Sequence, residues 1–378
     1  MKALVNARVL TDEGFVTGRA VLIEGERIAG VVEAGDARVR AAERTDLAGA
    51  MLLPGFIDAQ VNGGGGVLFN DAPTVETLRT IGRAHRRYGT TGFLPTLISD
   101  DLSVIAAAIE AVRAAIAERV PGVIGVHIEG PFISEARKGA HDPAHFRDLD
   151  ARGVRLLTSL GVGRTLVTLA PEVTTPETIA ELARAGVVVS AGHTDATYEE
   201  LETALAHGVV GGTHLFNAMS PLTSREPGAV GALLDDPDCW CALIVDGKHV
   251  HPAALRIALR CKRADRFMLV TDAMPIVGSG QDFFMLQGRR IGVVDGVCVD
   301  DAGVLSGAAI DMATAVRNTV ELLGLPLERA ARMASTYPAQ FLRLDRELGR
   351  IAPGYRASLT AIDDSFGVTG TWIDGTAA

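Results

Sequence analysis

Eight apolar runs of strand length alternate with amphipathic helical stretches between residues 54 and 273, and this alternation strongly limits the possible folds. The runs are GFIDAQ, TTGFLPTL, GVIGVHIEG, RTLVTLAPE, GVVVSAGHT, GGTHLFN, CALIVDG and RFMLVTDA. Near-continuous apolar strands separated by helices are typical of a parallel sheet covered by helices. Eight such units favour a closed (β/α)8 barrel over an open doubly wound sheet. We therefore predict an α/β protein with a TIM-like barrel.

The two ends of the chain have a different pattern, in which short alternating strands are separated by turn residues. It occurs in residues 2–52 and again in ASLTAIDD and FGVTGTWIDG near the other end. Such alternation is typical of sheets with one face in water. Because each end is too short for its own core, we predict one small discontinuous β-domain from residues 1–52 and 346–378. The catalytic barrel would then occupy residues 53–345.

Charge and cysteine content narrow the classes of function. The chain has 36 Lys and Arg against 46 Asp and Glu, a net charge of −10, which argues against nucleic-acid binding. Its four cysteines form no CxxC pair and have no zinc-site spacing, as expected of unpaired thiols in a reducing compartment. The sequence has no signal-peptide pattern and no apolar stretch of about 18 residues, so we expect a cytoplasmic protein without membrane contact.

Ionisable side chains occur at the ends of five of the eight predicted strands: Glu129, His193, His214, Asp246 with His249, and Asp272. At the C-terminal mouth of a barrel, residues from different strands converge on one site. One carboxylate and two imidazoles, from Glu129, His193 and His214, suit a divalent metal such as zinc with an open position for water. Asp272 would lie opposite as the acid/base. The pattern indicates metal-assisted hydrolysis and leaves the substrate open.

Taken singly, these residues have structural interpretations. A lone histidine near a strand end is more often a hydrogen-bonded structural residue than a metal ligand. Glu129, which precedes Gly-Pro, could form a turn, and Asp272 could cap the following segment. Asp58 and Glu172 are weaker candidates for supporting roles. The prediction of a metal site therefore depends on Glu129, His193 and His214 occurring together at strand ends.

Longer motifs occur along the chain in this order: HIEGP (127–131), KGAH (138–141), GHT (192–194), THLFNAM (213–219), REPG (225–228), DGKHV (246–250), VTDA (270–273), LSG (305–307) and LGRIAPGYRASLT (348–360). Together they resemble the motifs of the N-acetylglucosamine-6-phosphate deacetylase family in the amidohydrolase superfamily. The resemblance covers nearly the whole chain. It also implies a barrel with a discontinuous β-domain.

The resemblance implies metal-dependent hydrolysis of N-acetyl-D-glucosamine 6-phosphate to D-glucosamine 6-phosphate and acetate, in amino-sugar catabolism. Asp272 would be the acid/base and His141 would polarise the acetyl carbonyl. Arg225 and His249 would contact the phosphate, and we expect a homodimer in which Arg225 can reach the neighbouring subunit's site. The sugar would be held by Ala140, His141, Asn217, Ala218, Asp246 and the turn of Leu305, Ser306 and Gly307.

The sequence departs from the general superfamily pattern after the first barrel strand. Many amidohydrolases have His-x-His there, whereas this chain has Gln60-Val61-Asn62. Neutral amide oxygens are poor ligands for a transition metal. We therefore expect one divalent metal per chain, Zn2+ in the first place with Fe2+, Co2+ or Mn2+ as alternatives, and a vestigial second site at Gln60 and Asn62.

Two other functions stay open at this point. One is another amidohydrolase activity, that of a cyclic amidase or an N-acyl-amino-acid deacetylase, which would not need both the REPG and the DGKHV motif. The other is a non-catalytic sugar-phosphate sensor, which would have no use for Asp272 beside three metal ligands.

Overall fold

A computed structural model describes residues 1–294 and 296–378. Short strands dominate the first 54 residues. The elements there are β1 (Lys2–Val5), β2 (Arg8–Thr11), β3 (Gly14–Val16), β4 (Arg19–Glu24), β5 (Arg27–Glu33), α1 (Ala37–Ala41), β6 (Glu43–Asp46) and β7 (Met51–Pro54).

Eight parallel strands form the barrel, and a short ribbon of two further strands follows the first of them. In chain order the strands are β8 (Phe56–Val61), the ribbon strands β9 (Gly63–Gly64) and β10 (Val67–Leu68), β11 (Thr90–Ile98), β12 (Gly125–Glu129), β13 (Arg164–Leu169), β14 (Val188–Ala191), β15 (Val209–Gly212), β16 (Trp240–Leu243) and β17 (Phe267–Leu269). Each barrel strand pairs with the next, from β8 to β17. A parallel bridge between Val61 and Ala273 closes the ring. The TIM-like barrel is confirmed, and each strand overlaps one of the eight apolar runs, although β15 includes only the first two residues of GGTHLFN.

Amphipathic helices follow the barrel strands: α2 (Val75–Arg86), α3 (Leu102–Ala117), α4 (Ala151–Leu157), α5 (Pro176–Arg184), α6 (Tyr198–His207), α7 (Gly228–Asp235), α8 (Pro252–Cys261), α9 (Met312–Glu321), α10 (Leu327–Ala334) and α11 (Thr336–Phe341). In α3, Ile105, Ile109 and Val112 recur at helical spacing and are buried. A capping box of Thr197 and Glu200 begins α6. Within the described ranges, no helix has the length and apolar character needed to cross a membrane.

A four-stranded antiparallel sheet that the sequence analysis did not predict lies between α8 and α9. Its strands are β18 (Phe283–Leu286), β19 (Arg289–Val294), β20 (Val297–Val299) and β21 (Leu305–Ala308). The expected turn at Leu305, Ser306 and Gly307 is wrong, because these residues begin β21, which pairs with β20.

Strands from both ends of the chain meet in one sheet. The last strands are β22 (Leu359–Ile362), β23 (Val368–Ile373) and β24 (Thr376–Ala377), and the sheet order is β24-β23-β22-β7-β2-β3. β7 therefore lies between β2 and β22, with Leu359 opposite Pro54. Leu52, Leu359 and Trp372 belong to an apolar cluster separate from that of the barrel. The division into domains at residues 52 and 346 stays a prediction.

Candidate metal centre and active site

Glu129, His193 and His214 meet at the C-terminal mouth of the barrel. Glu129 is the last residue of β12, and each histidine follows its strand by two residues. His214 Nε2 lies 3.0 Å and His193 Nε2 3.3 Å from Glu129 Oε1. One potential ligand atom from each residue lies within 4.8 Å of those of the other two, and all three side chains are buried. The geometry therefore brings together the three predicted ligands.

Two of the three candidate ligands, and Asp272 beside them, have a left-handed backbone conformation. His193, His214 and Asp272 have positive φ angles of 49°, 35° and 52°. Non-glycine residues rarely adopt this left-handed region, and each instance costs on the order of 1–3 kcal/mol. Such strain is often concentrated at functional sites.

The donor set suits a divalent metal. His193 Nδ1 lies 2.9 Å from the carbonyl oxygen of Arg137, so Nδ1 carries the proton and the Nε2 lone pair faces the centre. His214 Nε2 lies only 3.2 Å from His193 Nε2. Two imidazole nitrogens and a carboxylate oxygen this close together are the kind of donor set that binds a divalent cation. This chain therefore has a candidate site for one divalent metal.

Gln60 and Asn62 connect the candidate ligands to Asp272. Asn62 Nδ2 donates to Asp272 Oδ1 at 2.6 Å, and Gln60 Nε2 donates to the same oxygen at 3.2 Å. Gln60 Nε2 also donates to Glu129 Oε1 at 3.0 Å. Since both amides present N–H groups to carboxylates, they act here as hydrogen-bond donors.

The two buried carboxyl groups have opposite pKa shifts. Burial raises the pKa of Glu129, but the adjacent His193 and His214 rings outweigh it and hold that pKa well below its ordinary value. Burial and the nearby charge of Glu129 raise the pKa of Asp272 to about 6. Glu129 is therefore suited to remain an anionic ligand, and Asp272 to exchange a proton near neutral pH.

Two further histidines reach the same cavity. The backbone N–H of Ser99 donates to His141 Nδ1 at 3.3 Å, which leaves the proton of a neutral ring on Nε2. Burial, followed by the neighbouring His193, lowers the pKa of His141 well below its ordinary value, so the ring is neutral. His249 Nδ1 lies 2.6 Å from Asp246 Oδ2, which fixes the orientation of that ring.

The cavity has a volume of about 400 Å3, which is sufficient for a small ligand. Most of the predicted site residues line it: Asn62, Glu129, Ala140, His141, His193, His214, Asn217, Ala218, His249, Asp272, Leu305, Ser306 and Gly307. Gln60 lies beneath them and contacts Glu129 and Asp272.

Two predicted substrate contacts do not line this cavity. Asp246 lies behind His249 and accepts hydrogen bonds from the backbone N–H groups of Lys248 and His249. Arg225 lies on an exposed loop outside the cavity of its own chain. A phosphate contact by Arg225 therefore stays a prediction that involves a neighbouring subunit.

Sequence reasoning missed Arg137, which also lines the cavity. Its guanidinium pairs with Asp195 at 2.7 Å, and its carbonyl orients His193. Arg137 directly precedes the KGAH motif, and this position in the sequence could have identified it as a site residue. Glu172, one of the weaker candidates, accepts a hydrogen bond from the backbone N–H of Asp195 at 2.6 Å and so supports the loop after His193.

Comparisons with known proteins place this architecture in a family. The model of the amidohydrolase family matches residues 51–378. An N-acetylgalactosamine-6-phosphate deacetylase from Shewanella sp. strain ANA-3 is 46% identical over 330 residues, covering 87% of this chain and 83% of that protein. An N-acetylglucosamine-6-phosphate deacetylase from Haemophilus influenzae is 36% identical and covers 99% of this chain and 98% of that protein. The crystal structure of an N-acetylglucosamine-6-phosphate deacetylase from Pasteurella multocida superposes with a TM-score of 0.96 at 36% identity, covering 100% of this chain and 99% of that one.

Proposed function

This chain belongs to the amidohydrolase family and, within it, to the N-acetylglucosamine-6-phosphate deacetylase family, and we propose that it hydrolyses N-acetylglucosamine 6-phosphate to glucosamine 6-phosphate and acetate. The observation that carries this proposal is the convergence of Glu129, His193 and His214 beside Asp272 in one cavity. A metal-binding cluster next to a proton acceptor is what hydrolysis of an unactivated amide requires.

One divalent ion per chain, Zn2+ by our assignment, would be held by Glu129, His193 and His214. Such an ion supplies an acidified water as nucleophile and polarises the amide carbonyl. The N–H groups that Gln60 and Asn62 direct at carboxylates support a single ion, since a second cation would need their oxygens.

Asp272 has the position of the acid/base. Its Oδ1 accepts hydrogen bonds from Asn62 and Gln60, which leaves Oδ2 to take a proton and return it to the leaving amine. A pKa raised to about 6 suits both transfers near neutral pH. His141, with its proton on Nε2, can donate a hydrogen bond to the acetyl oxygen.

Recognition of the phosphate is assigned to His249 and to Arg225 of a second subunit in a homodimer. Asp246 holds His249 through Nδ1 and leaves Nε2 for the phosphate. The exposed position of Arg225 outside its own cavity is consistent with a contact across a dimer interface. A cytoplasmic location is supported by the four unpaired cysteines.

A second candidate substrate is the C4 epimer, N-acetylgalactosamine 6-phosphate. It is favoured by the 46% identity to the Shewanella protein, against 36% to the Haemophilus protein. The acetyl and phosphate groups are the same in the two sugars, so the chemistry proposed for Asp272 and His249 applies to both.

Acetate release from both epimers, measured as kcat/KM with metal-replete enzyme, tests the proposal. We expect turnover of N-acetylglucosamine 6-phosphate and a much slower reaction with the unphosphorylated sugar. Hydrolysis of cyclic amides or N-acyl amino acids in preference to either sugar phosphate would refute it, as would the absence of any turnover. A clear preference for the galacto epimer would establish the second candidate.

A further inference from the structure

A continuous chain of polar side chains crosses the barrel core at the level of the metal centre. It consists of Thr96, His127, Thr168, Thr213 and Ser190, which we call the core chain, and these side chains are 0 to 4% exposed. The joining distances are 3.1 Å from Thr96 Oγ1 to His127 Nδ1, 2.7 Å from His127 Nε2 to Thr168 Oγ1, 2.7 Å from Thr168 Oγ1 to Thr213 Oγ1, and 2.8 Å from Thr213 Oγ1 to Ser190 Oγ. The core chain therefore joins side chains from five neighbouring barrel segments.

One end of the core chain fixes the direction of its hydrogen bonds. Ser190 Oγ donates to the carbonyl oxygen of Gly211 at 3.2 Å, so it accepts from Thr213. A hydroxyl has only one proton to donate. Since the proton of Thr213 is used toward Ser190, Thr213 accepts from Thr168, and Thr168 accepts from the N–H at His127 Nε2.

The other end of the core chain reaches the strand that precedes Asn62. With its proton on Nε2, a neutral His127 ring can accept at Nδ1 from the Thr96 hydroxyl at 3.1 Å, a shorter distance than the 3.3 Å from that hydroxyl to the carbonyl oxygen of Leu94. Thr96 Oγ1 in turn accepts from the backbone N–H of Val61 at 2.9 Å. Every member of the core chain has a partner, which is the condition under which a buried polar network rigidifies its surroundings.

Three members of the core chain lie within two residues of a candidate metal ligand or directly opposite one, and a fourth, Thr96, binds the backbone between Gln60 and Asn62. His127 is two residues before Glu129 on β12, so both side chains are on the same face of that strand. Thr168 is the register partner of Glu129 on β13, and Thr213 directly precedes His214. Val61 lies between Gln60 and Asn62.

Barrel interiors are usually filled by branched apolar side chains. Burying five polar side chains there costs free energy that their hydrogen bonds have to offset, which points to a specific use for them. We propose that His127 and Thr168 are positioning residues that fix the distance between Glu129 and His214 required for binding a divalent metal. They act through the strands that carry the ligands, since both are fully buried and do not line the cavity. The inference rests on the metal site of the proposed function and adds to it residues that support the ligands.

Thr168→Val tests the proposal, because valine keeps the shape and removes the hydroxyl that joins His127 to Thr213. The matched control is Thr319→Val, since Thr319 is equally buried and its hydroxyl donates to the carbonyl oxygen of Ala315 within α9. The measurements are the Kd for Co2+ by competition with a chelator, the visible absorption of the cobalt protein, and the free energy of unfolding in urea.

We expect Thr168→Val to raise the Kd for Co2+ by roughly 10- to 100-fold, as for loss of groups that orient metal ligands, and to shift the cobalt bands. Thr319→Val should bind cobalt within about twofold of wild type, as expected for a change outside such a network. Wild-type cobalt affinity and bands in Thr168→Val would overturn the proposal. So would an equal loss of affinity in both variants, since it would follow from stability alone.

A second pair of variants keeps the test independent of how well Thr168→Val folds. His127→Gln places an amide N–H where His127 Nε2 donates, whereas His127→Leu removes every polar group. Cobalt affinity partly retained in the first and lost in the second supports the proposal, and equal affinities contradict it. Turnover of the sugar phosphate by wild-type enzyme is measured separately, so failure of the proposed reaction leaves the cobalt results intact.

Discussion

Asp58, a buried carboxyl group on β8, should contribute to the pH dependence of the stability of this protein, and Asp58→Asn should remove that contribution. Asp58 Oδ1 accepts from the backbone N–H groups of Gln60 and Thr271, both at 3.2 Å. Its second oxygen faces the Thr271 hydroxyl. Asparagine can keep the first two bonds with its own Oδ1, so the substitution changes mainly the titration.

The expected magnitude follows from the burial of this group. Burial raises the pKa of Asp58 to about 7 from an ordinary value of 3.8, although hydrogen bonds from Thr271 act in the opposite direction. At 1.36 kcal/mol per pKa unit, this shift corresponds to about 4 kcal/mol. The native state keeps the proton to higher pH than the unfolded chain does. The free energy of unfolding of the wild type should therefore fall, relative to Asp58→Asn, as pH rises from about 4 to about 7.

Urea unfolding of both metal-free proteins between pH 4 and pH 8 measures this difference. Chelation removes the pH dependence of metal binding, and because the freed ligands titrate alike in both proteins, their contribution cancels in the difference. The control is Asp46→Asn, because Asp46 is exposed and hydrogen bonds from Ala48 and Asn6 lower its pKa. In that pair the wild type should gain stability relative to the variant as pH rises through the acidic range. A difference between Asp58→Asn and wild type that stays constant across this range would refute the reasoning.

Four further outcomes test the site. Asp272→Asn should retain metal and lose turnover by roughly 10²- to 10⁴-fold in acetate release, and a near wild-type rate would remove Asp272 as acid/base. Elemental analysis should find one tightly bound ion per chain, and two ions would contradict the interpretation of Gln60 and Asn62. Arg225→Ala should lower kcat/KM for the phosphorylated sugar by roughly 30- to 1,000-fold and barely affect the unphosphorylated one. Mixing Arg225→Ala with Asp272→Asn subunits should restore activity, because one site of each mixed dimer is complete, whereas a contact within one chain would give no recovery.

The barrel could be predicted because its strands lie in apolar runs bounded by helical segments. A parallel strand that is covered on both faces is recognised by such a continuous apolar run. The sheet β18–β21 could not be predicted, because β18 has only four residues, all of them apolar, and the sequence shows no alternation there before the hairpin turn. That turn contains Gln287 at a φ of 48°, a conformation that sequence rules assign to glycine, asparagine or aspartate.

In the site too, the residues at the ends of regular strands could be predicted, whereas those in loops could not. Glu129, His193 and His214 were identified because strand ends of a barrel converge whatever the loops do. Asp246 and His249 lie three residues apart in a loop, where no periodicity tells which side chain faces the cavity. The structure places His249 in the cavity wall and Asp246 behind it.

The position of β7 between β2 and β22 has a consequence for synthesis of the protein. Residues 55–358 separate β7 from its partner β22 along the chain. At 5–20 residues per second, the ribosome needs roughly 15 to 60 seconds to produce that segment. During this interval Met51–Pro54, fully buried in the finished sheet, has one unpaired edge. An unpaired apolar edge can pair with other chains, so the nascent protein has to be shielded, by chaperones or by its own emerging barrel, until β22 arrives.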